Sequence, residues 1–515
     1  MPTSTLPAAA TRTGAPSRTL VLLAMIIASS MVFIDVTVVH LALPVLQRDL
    51  GASFQALQWT VNAYSLTLGG LLLLGGAAGD RFGRRRVFAI GLALFGLASL
   101  GCALASDGWL LVLARALQGI GGALLVPGSL AIISETFPKA ERGRAIGTWA
   151  AASALTTASG PMIGGWLVEH FSWRIIFEIN PPLAAVSLFL LWRAGISRGQ
   201  PSGRSSPLDW AGALWSVVAL GSLTYACVAA GAGSGWPVAV LAALALCGGA
   251  LFVRTEARAA APLMPLDIFR SSVFTRTNIM TLLLYGALSG VFFLLPFRLI
   301  NGQGYTASEA GAALLPFSLS IALLSRPMGA LQDRWGPRPL LTAGAALYAG
   351  GLVFIALAGV DATYWNDLFP GLLAMGIGMS LVVAPLTTAV MNSVEEDRQG
   401  LASGINNAAS RIAGLISVAL VGAGAGLLMP VLLGGALDHV GLTEPLRSLL
   451  LSGADGLNPL LVPAGVDAPL AERLHSAGAE AQIGVFRLLA LGLAGLATAA
   501  AVVASTLPRL ADQPS

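Results

Sequence analysis

The sequence predicts an all-α membrane protein with 14 transmembrane helices, arranged as two six-helix bundles with two further helices inserted between them. Composition, a recurring apolar run and an internal repeat carry that reading. Of the 515 residues, 56% are hydrophobic and only 10% charged, and mean hydropathy is +0.78, which no soluble globule matches. Apolar runs of about 20 residues, each long enough to cross about 30 Å of hydrocarbon as helix, recur along the chain. Helix is the required state, because every backbone polar group must be satisfied inside lipid and no alternating barrel-strand pattern occurs.

The predicted spans are 19–42, 57–78, 87–106, 109–133, 144–168, 173–193, 208–230, 236–254, 276–299, 307–331, 339–359, 366–391, 400–428 and 484–506, which leave no stretch for a separate soluble domain. The first follows Arg12 and Arg18 without a convincing small-residue cleavage site and is read as retained helix. With the N-terminus inside, most of the 29 Lys and Arg fall in inner loops and tails, so both termini are expected in the cytoplasm. The net charge of +4 then reflects topology, and no nucleic-acid partner is expected. Cys102, Cys227 and Cys247 lie in spans with neither metal nor disulfide spacing.

Two patterns recur in the same order at nearly equal offsets. Asp80-Arg81-Phe82-Gly83-Arg84 returns as Asp333-Arg334-Trp335-Gly336-Pro337-Arg338, and Gly143-Arg144-Ala145-Ile146-Gly147 returns as Gly400-Leu401-Ala402-Ser403-Gly404. Each pair takes the same topological place in a six-helix unit. The expected organisation is a cytoplasmic tail 1–18, a first bundle 19–193, a connecting region 194–275 with two extra helices, a second bundle 276–506 with an outer hairpin 429–483, and a tail 507–515. The even number of inserted helices keeps the halves parallel, an arrangement that places substrate sites at the midplane between rocking halves. The stretch SRGQPSGRSSP, 197–207, reads as a flexible linker.

The loop GDRFGRRR, 79–86, is too short for a flexible connection. Gly79 and Gly83 let the backbone turn, while Asp80, Arg81 and Arg84 mark the membrane surface, and Asp333 and Arg334 stand in the second copy. It is either an anchor, or a latch in which Asp80 docks on the positive N-terminal end of a helix in the other half in one conformation only. In GPMIGG, the small residues Gly160, Gly164 and Gly165 permit close helix approach, and Pro161 removes one backbone hydrogen bond.

Together with IDVTVVHLALP, RALQGIGGALLVPG, FPKAERGRAIG and the weaker QDRWGPR, these segments resemble the major facilitator superfamily, and within it the fourteen-helix drug:proton antiporters. That resemblance, spread over nearly the whole chain, implies the major facilitator fold. It further implies a proton-coupled antiporter of the bacterial inner or plasma membrane that exports lipophilic compounds, cationic ones included, with GPMIGG as its antiporter signature. No cofactor is implied beyond the proton gradient, and a monomer is expected, with room for a periplasmic adaptor. His40 stands where the family usually has Asn, Thr156 where the helix-five motif often begins with Gly, and Pro337 interrupts the second loop.

Ionisable groups inside spans are costly and mark functional interiors. Asp35 lies below the predicted outer end of its span and Arg115 inside the outer start of its own, at matching depth in one bundle. An Asp away from water tends to hold its proton while a nearby Arg favours release, so Asp35 is read as the proton carrier and Arg115 as its partner, against a fixed structural ion pair. His40 sits about 140° round the helix from Asp35, and is expected at the membrane interface, with pH sensing as the second reading. Matching Pro44 to Pro296 sets Ala287 opposite Asp35, and no acid falls in the six later spans, so coupling belongs to the first half. Arg411 either sets the field in a central cavity or is a capped structural Arg. Glu178 is read as a local pair with Arg174, with a transport role as the alternative. Asn62, Tyr64, Asn406 and Asn407 are candidate cavity groups, though helix-to-helix contacts explain them as well. The outer segment 429–483 is either a helical hairpin leaning on the membrane or the entrance, or a solvated loop.

The lack of any HExxH or GxxxxGK[ST] pattern and of a soluble domain argues against a membrane enzyme or receptor. The leading function is proton-coupled efflux by alternating access, and a proton symporter for nutrient uptake is the alternative.

Overall fold

The computed structural model describes residues 17–195, 208–233, 235–395, 398–454 and 466–508, with 456–458, 460, 462 and 463. The predicted linker 197–207 and most of both tails lie outside the described residues. Thirteen described helices are long and apolar enough to cross a membrane, and a further 32-residue helix, α5, covers the predicted span 144–168. No strand occurs among the described residues. The first bundle holds α1 (Arg18–Leu50), α2 (Phe54–Phe82), α3 (Arg84–Ala103), α4 (Gly108–Thr136), α5 (Lys139–His170) and α6 (Ile175–Arg193). The inserted pair is α7 (Trp210–Gly231) and α8 (Gly235–Glu256). The second bundle holds α9 (Ser272–Gly302), α10 (Ala307–Gln332), α11 (Pro337–Leu357), α12 (Tyr364–Asn392), α13 (Gln399–Asp438) and α14 (Ala468–Ser505). Inner denotes the end at which α1 begins.

Several helices run beyond their predicted ends, which corrects two expectations. α1 passes through Pro44 and stops only at Gly51, whose φ of 57° turns the chain while its N–H bonds the Gln47 carbonyl. Asp35 therefore sits in the middle of its helix, not near the outer end. A proline that would stop a soluble helix is tolerated in a packed membrane bundle because neighbours re-satisfy the freed backbone. α13 runs 40 residues, and α14 starts at Ala468, so both ends of the predicted outer hairpin, 429–438 and 468–483, are continuous with membrane helix. Between them a short helix, Glu444–Ser452, buries Leu450, and Leu457 beyond it is buried too. Asn458 meets Gln47 at the end of α1, so this segment rests on the first half and is not a solvated loop.

The repeated inner loop turns on a glycine of positive φ in both halves. α2 and α3 are parted only by Gly83, with φ of 95°, and α10, helical on to Trp335, meets α11 at Gly336, with φ of 76°. Such φ values suit glycine, which explains why this residue recurs at the repeat.

The halves meet along α1 with α9, α2 with α13, and α5 with α10. The α2–α13 seam is straight: Gln58 lies against Gly422, Gly69 against Arg411, and Leu73 against Gly404. α7 covers this seam, with Val217 on Gly70 of α2, Ser216 Oγ donating to the Gly70 carbonyl at 3.1 Å, and Gly231 on Ala423 of α13. Arg298, beside the predicted outer end of its span, is buried at the outer end of α9. Its guanidinium donates to the carbonyls of Ile355 and Ala358, both at 3.0 Å, capping the C-terminal end of α11, and lies 4.6 Å from the Phe486 ring centre.

Candidate functional site

α1, α3, α4 and α6 bring a closed set of polar groups together inside the first bundle. Arg115 Nη1 donates to Asp35 Oδ2 at 2.6 Å, with Asp35 2% and Arg115 1% exposed. The same nitrogen donates to Gln118 Oε1 at 2.7 Å, and Gln118 Nε2 returns to Asp35 Oδ1 at 3.0 Å, closing a ring of three side chains. Gln118 Nε2 also donates to Ser99 Oγ at 3.1 Å, and Asn180 Nδ2 donates to that oxygen at 2.8 Å. Arg115 Nε donates to the Thr60 carbonyl at 3.1 Å, and its guanidinium stacks 4.1 Å from the Tyr64 ring centre. Both carboxylate oxygens are thus occupied and the cation is held from three sides, which is what a buried charge pair needs to persist. Gln118, Ser99 and Asn180 were not among the sequence candidates. Gln118 carried a signal, since it follows Arg115 by three residues and so shares its helix face. Ser99 and Asn180 carried none, because their role depends on how α3 and α6 pack.

The glycine segment of α5 faces two ways. A side-chain carbon at Gly160 would overlap Thr37, and one at Gly164 would overlap Val38, so these glycines let α5 lie against α1 just past Asp35. One at Gly165 would overlap the Ala307 carbonyl, and one at Gly311 the Pro161 carbonyl, so the same segment touches α10 of the other half. Thr156 bonds Ser30 of α1 at 3.1 Å. α5 is thereby wedged between the helix of Asp35 and the second half at its outer end. Further in, a side-chain carbon at Gly143 or Gly147 would meet no described atom within 4 Å and Leu155 is 65% exposed, so the halves part on the α5 side toward the inner face.

Among the described residues, Asp80 makes no link across the halves. Its Oδ1 accepts from Arg84 Nε at 2.8 Å, and Arg84 Nη1 reaches Glu135 Oε1 at 2.7 Å, all within the first bundle. Arg81 lies over Phe82, Arg334 is exposed, and the Asp333 side chain lies outside the described residues. The expected contact, a carboxylate on a helix start in the other half, occurs at the outer end through a different residue. Glu169 Oε2 accepts from the backbone N–H of Ser308 at 2.8 Å, in the first turn of α10. Sequence could not assign it, because pairing across halves is set by which ends are closed.

The remaining candidates divide. Glu178 is exposed, and Arg174 pairs with Asp49 at 2.8 Å, which corrects the expected local pair; Trp173 Nε1 donates to the same Asp49 oxygen at 2.6 Å. Asn406 Nδ2 donates to Thr281 Oγ1 at 2.7 Å and to Asn278 Oδ1 at 3.2 Å, a contact between α13 and α9. Asn407 is exposed and bonds the Ser403 carbonyl of its own helix. Asn62 is fully buried with neither amide atom bonded, and the Tyr64 hydroxyl is likewise unbonded. Arg411 is half-buried on α13, within electrostatic range of Tyr64 and Tyr285. His40 is not interfacial: it is 8% exposed, with its ring edge on Phe293 of α9 at 6.3 Å. A groove of about 920 Å³ between α10 and α12 is lined by Leu319, Leu323, Trp365 and Phe369, with Tyr305 and Glu309 also in its wall. Among the described residues, no three His, Cys, Asp or Glu side chains come together to hold a metal.

The model of the Major Facilitator Superfamily matches residues 25–418. The chain belongs to that superfamily. It is a multi-pass membrane transporter and not an enzyme. It is 36% identical to the multidrug resistance protein Stp of Mycobacterium tuberculosis over 396 residues, 76% of this chain and 73% of the relative. It is 36% identical to the puromycin resistance protein pur8 of Streptomyces alboniger over 411 residues, 79% and 81% of the two chains. Among solved structures, a bacterial homolog of the human lysosomal transporter Spinster, inward-facing and unoccupied, superposes with a TM-score of 0.64 at 17% identity, covering 95% of this chain and 98% of that one. This last likeness concerns the fold alone.

Proposed function

We propose that this superfamily member exports lipophilic organic compounds, cationic ones included, across a bacterial inner or plasma membrane in exchange for protons, working as a monomer with both termini cytoplasmic. The observation that carries the reading is the buried ring of Asp35, Arg115 and Gln118. A fully desolvated carboxylate in a transport bundle is expensive, and proton uptake is the simplest way to change its interactions. A proton arriving on Oδ1 sets a hydroxyl against the Gln118 amide N–H, so Gln118 must turn and Arg115 loses an acceptor. Proton binding is then felt at Ser99 on α3 and at Tyr64 on α2. Movement of α1 is felt directly by α5, since Gly160 and Gly164 lie on Thr37 and Val38, and α5 carries the contact to α10. Protonation at Asp35 and the closure between the halves are therefore mechanically adjacent. Resistance and efflux in the names of the relatives supports export over uptake. The apolar walls of the α10–α12 groove are compatible with lipophilic compounds, and Arg411, Asn62 and Tyr64 are the polar groups proposed to tune the central region.

The test is proton-driven efflux of a lipophilic dye in inverted membrane vesicles, comparing wild type with Asp35→Asn. Wild type should move dye on acidifying the lumen and the variant should not, while both still bind it. Full proton-driven movement by the variant would remove Asp35 from the coupling role.

A further inference from the structure

At the inner end of the inserted pair, away from the Asp35 network, two carboxylates converge. Asp209 begins α7 as its N-cap, with Oδ1 accepting from the Gly212 N–H at 2.7 Å. Glu256 ends α8, with Oε2 accepting from the Met264 N–H at 2.9 Å. The other oxygen of each, Asp209 Oδ2 and Glu256 Oε1, is buried without a hydrogen-bond partner. Both point to one place: a side-chain carbon on Gly212 would lie 2.6 Å from Glu256 Oε1 and 2.8 Å from Asp209 Oδ2. Glu256 is only 3% exposed. The surroundings are apolar, with Leu74 of α2, Ala213 of α7 and Leu263 packed together and Ala77 and Leu208 beside them. Among the described residues neither carboxylate has an ion pair, and Arg254 and Arg258, the charged groups nearest Glu256 in sequence, are exposed.

Two ionised carboxylates cannot stay side by side in such a place with an unbonded oxygen each, because the repulsion and the desolvation add. Among the described residues no cation offsets them. Calcium takes six to eight oxygen ligands, and only two side-chain oxygens are free here. We propose that Asp209 and Glu256 form a proton-binding site that holds a single shared proton, one carboxylic acid donating to the facing carboxylate. The proton adds to one oxygen and no other bond is made or broken. The two groups titrate as a unit. The site links the start of α7, the end of α8 and, through Met264, the connection leading into α9, while Leu263 packs on Leu74 of the first half. A proton lost on the inner side would part these segments, so the clasp loosens as the inner pH rises.

The proposal is tested on the purified full-length protein in nanodiscs by infrared spectroscopy, independently of transport. At neutral pH, wild type should show a carboxylic-acid carbonyl band that is absent from both Glu256→Gln and Asp209→Asn, since in each variant the new amide donates to the remaining carboxylate. The same band should disappear from wild type as pH is raised, together with thermal stability that the variants keep. Loss of the band in one variant only would assign an isolated acid and overturn the sharing. Retention of the band in both variants would overturn the site. Stability that rises with added sodium or calcium in wild type and not in Glu256→Gln, with no acid band, would make it a metal site and refute the proton.

Discussion

The Asp35–Arg115 pair makes a quantitative demand on stability. Asp35→Asn keeps the shape and removes the charge, stranding a guanidinium that is 1% exposed among Gln118, the Thr60 carbonyl and the Tyr64 ring. Removing one partner of a buried pair costs roughly 3–5 kcal/mol, because the other charge is left without compensation. Arg115→Met strands Asp35 in the same way, and carries a similar cost. The double variant leaves neither charge uncompensated, so its cost should fall short of the summed singles by at least about 2 kcal/mol. Denaturant unfolding in mixed micelles, run on wild type, both singles and the double, measures this coupling. If the singles add to within about 0.5 kcal/mol, the two side chains do not share a buried interaction and the reading of this site fails.

Other expectations follow from the contacts between the halves and from the inner surface. Gly165→Val drives a branched side chain into the Ala307 carbonyl, an overpacking worth about 1–3 kcal/mol that exists only while α5 touches α10, so the outer-closed population should drop roughly fivefold or more. Spin-label distances between the outer ends of α5 and α10 report this, and an unchanged distribution would contradict it. Glu169→Gln removes an exposed, screened charge from the start of α10, worth only about 0.5 kcal/mol and about a twofold change in the same population ratio, which should vanish in high salt. At the inner surface, Arg398 bonds Asp267 at 2.6 Å and this bond holds the carboxyl below its ordinary range. A lowered folded-state value means the pair contributes above the unfolded value near 3.9 and loses its contribution as pH falls through the folded one. Arg398→Gln should therefore flatten the acid limb of a stability–pH curve and leave its slope unchanged between about pH 5 and 8, where both states are ionised; a slope change at neutral pH would refute the assignment.

Sequence alone determined the solvent, the helical state, the approximate spans and the twofold plan, because each follows from local composition and from a repeat visible along one chain. It also singled out Asp35 and Arg115, since an ionisable residue inside an apolar run stands out whatever surrounds it. Tertiary structure decided what those residues touch. Gln118, Ser99 and Asn180 join the pair only because α3, α4 and α6 pack with those faces together. The glycines of α5 announced close approach, but not that one side meets α1 and the other α10. The carboxylate on a helix start proved to be Glu169 at the outer end while Asp80 pairs with Arg84 in its own half, because a contact between halves exists only at the end that is closed. From sequence His40 reads as interfacial, and Arg298 stands beside a predicted span end. Long helices running past those ends buried both, a length that packing sets and hydropathy alone does not.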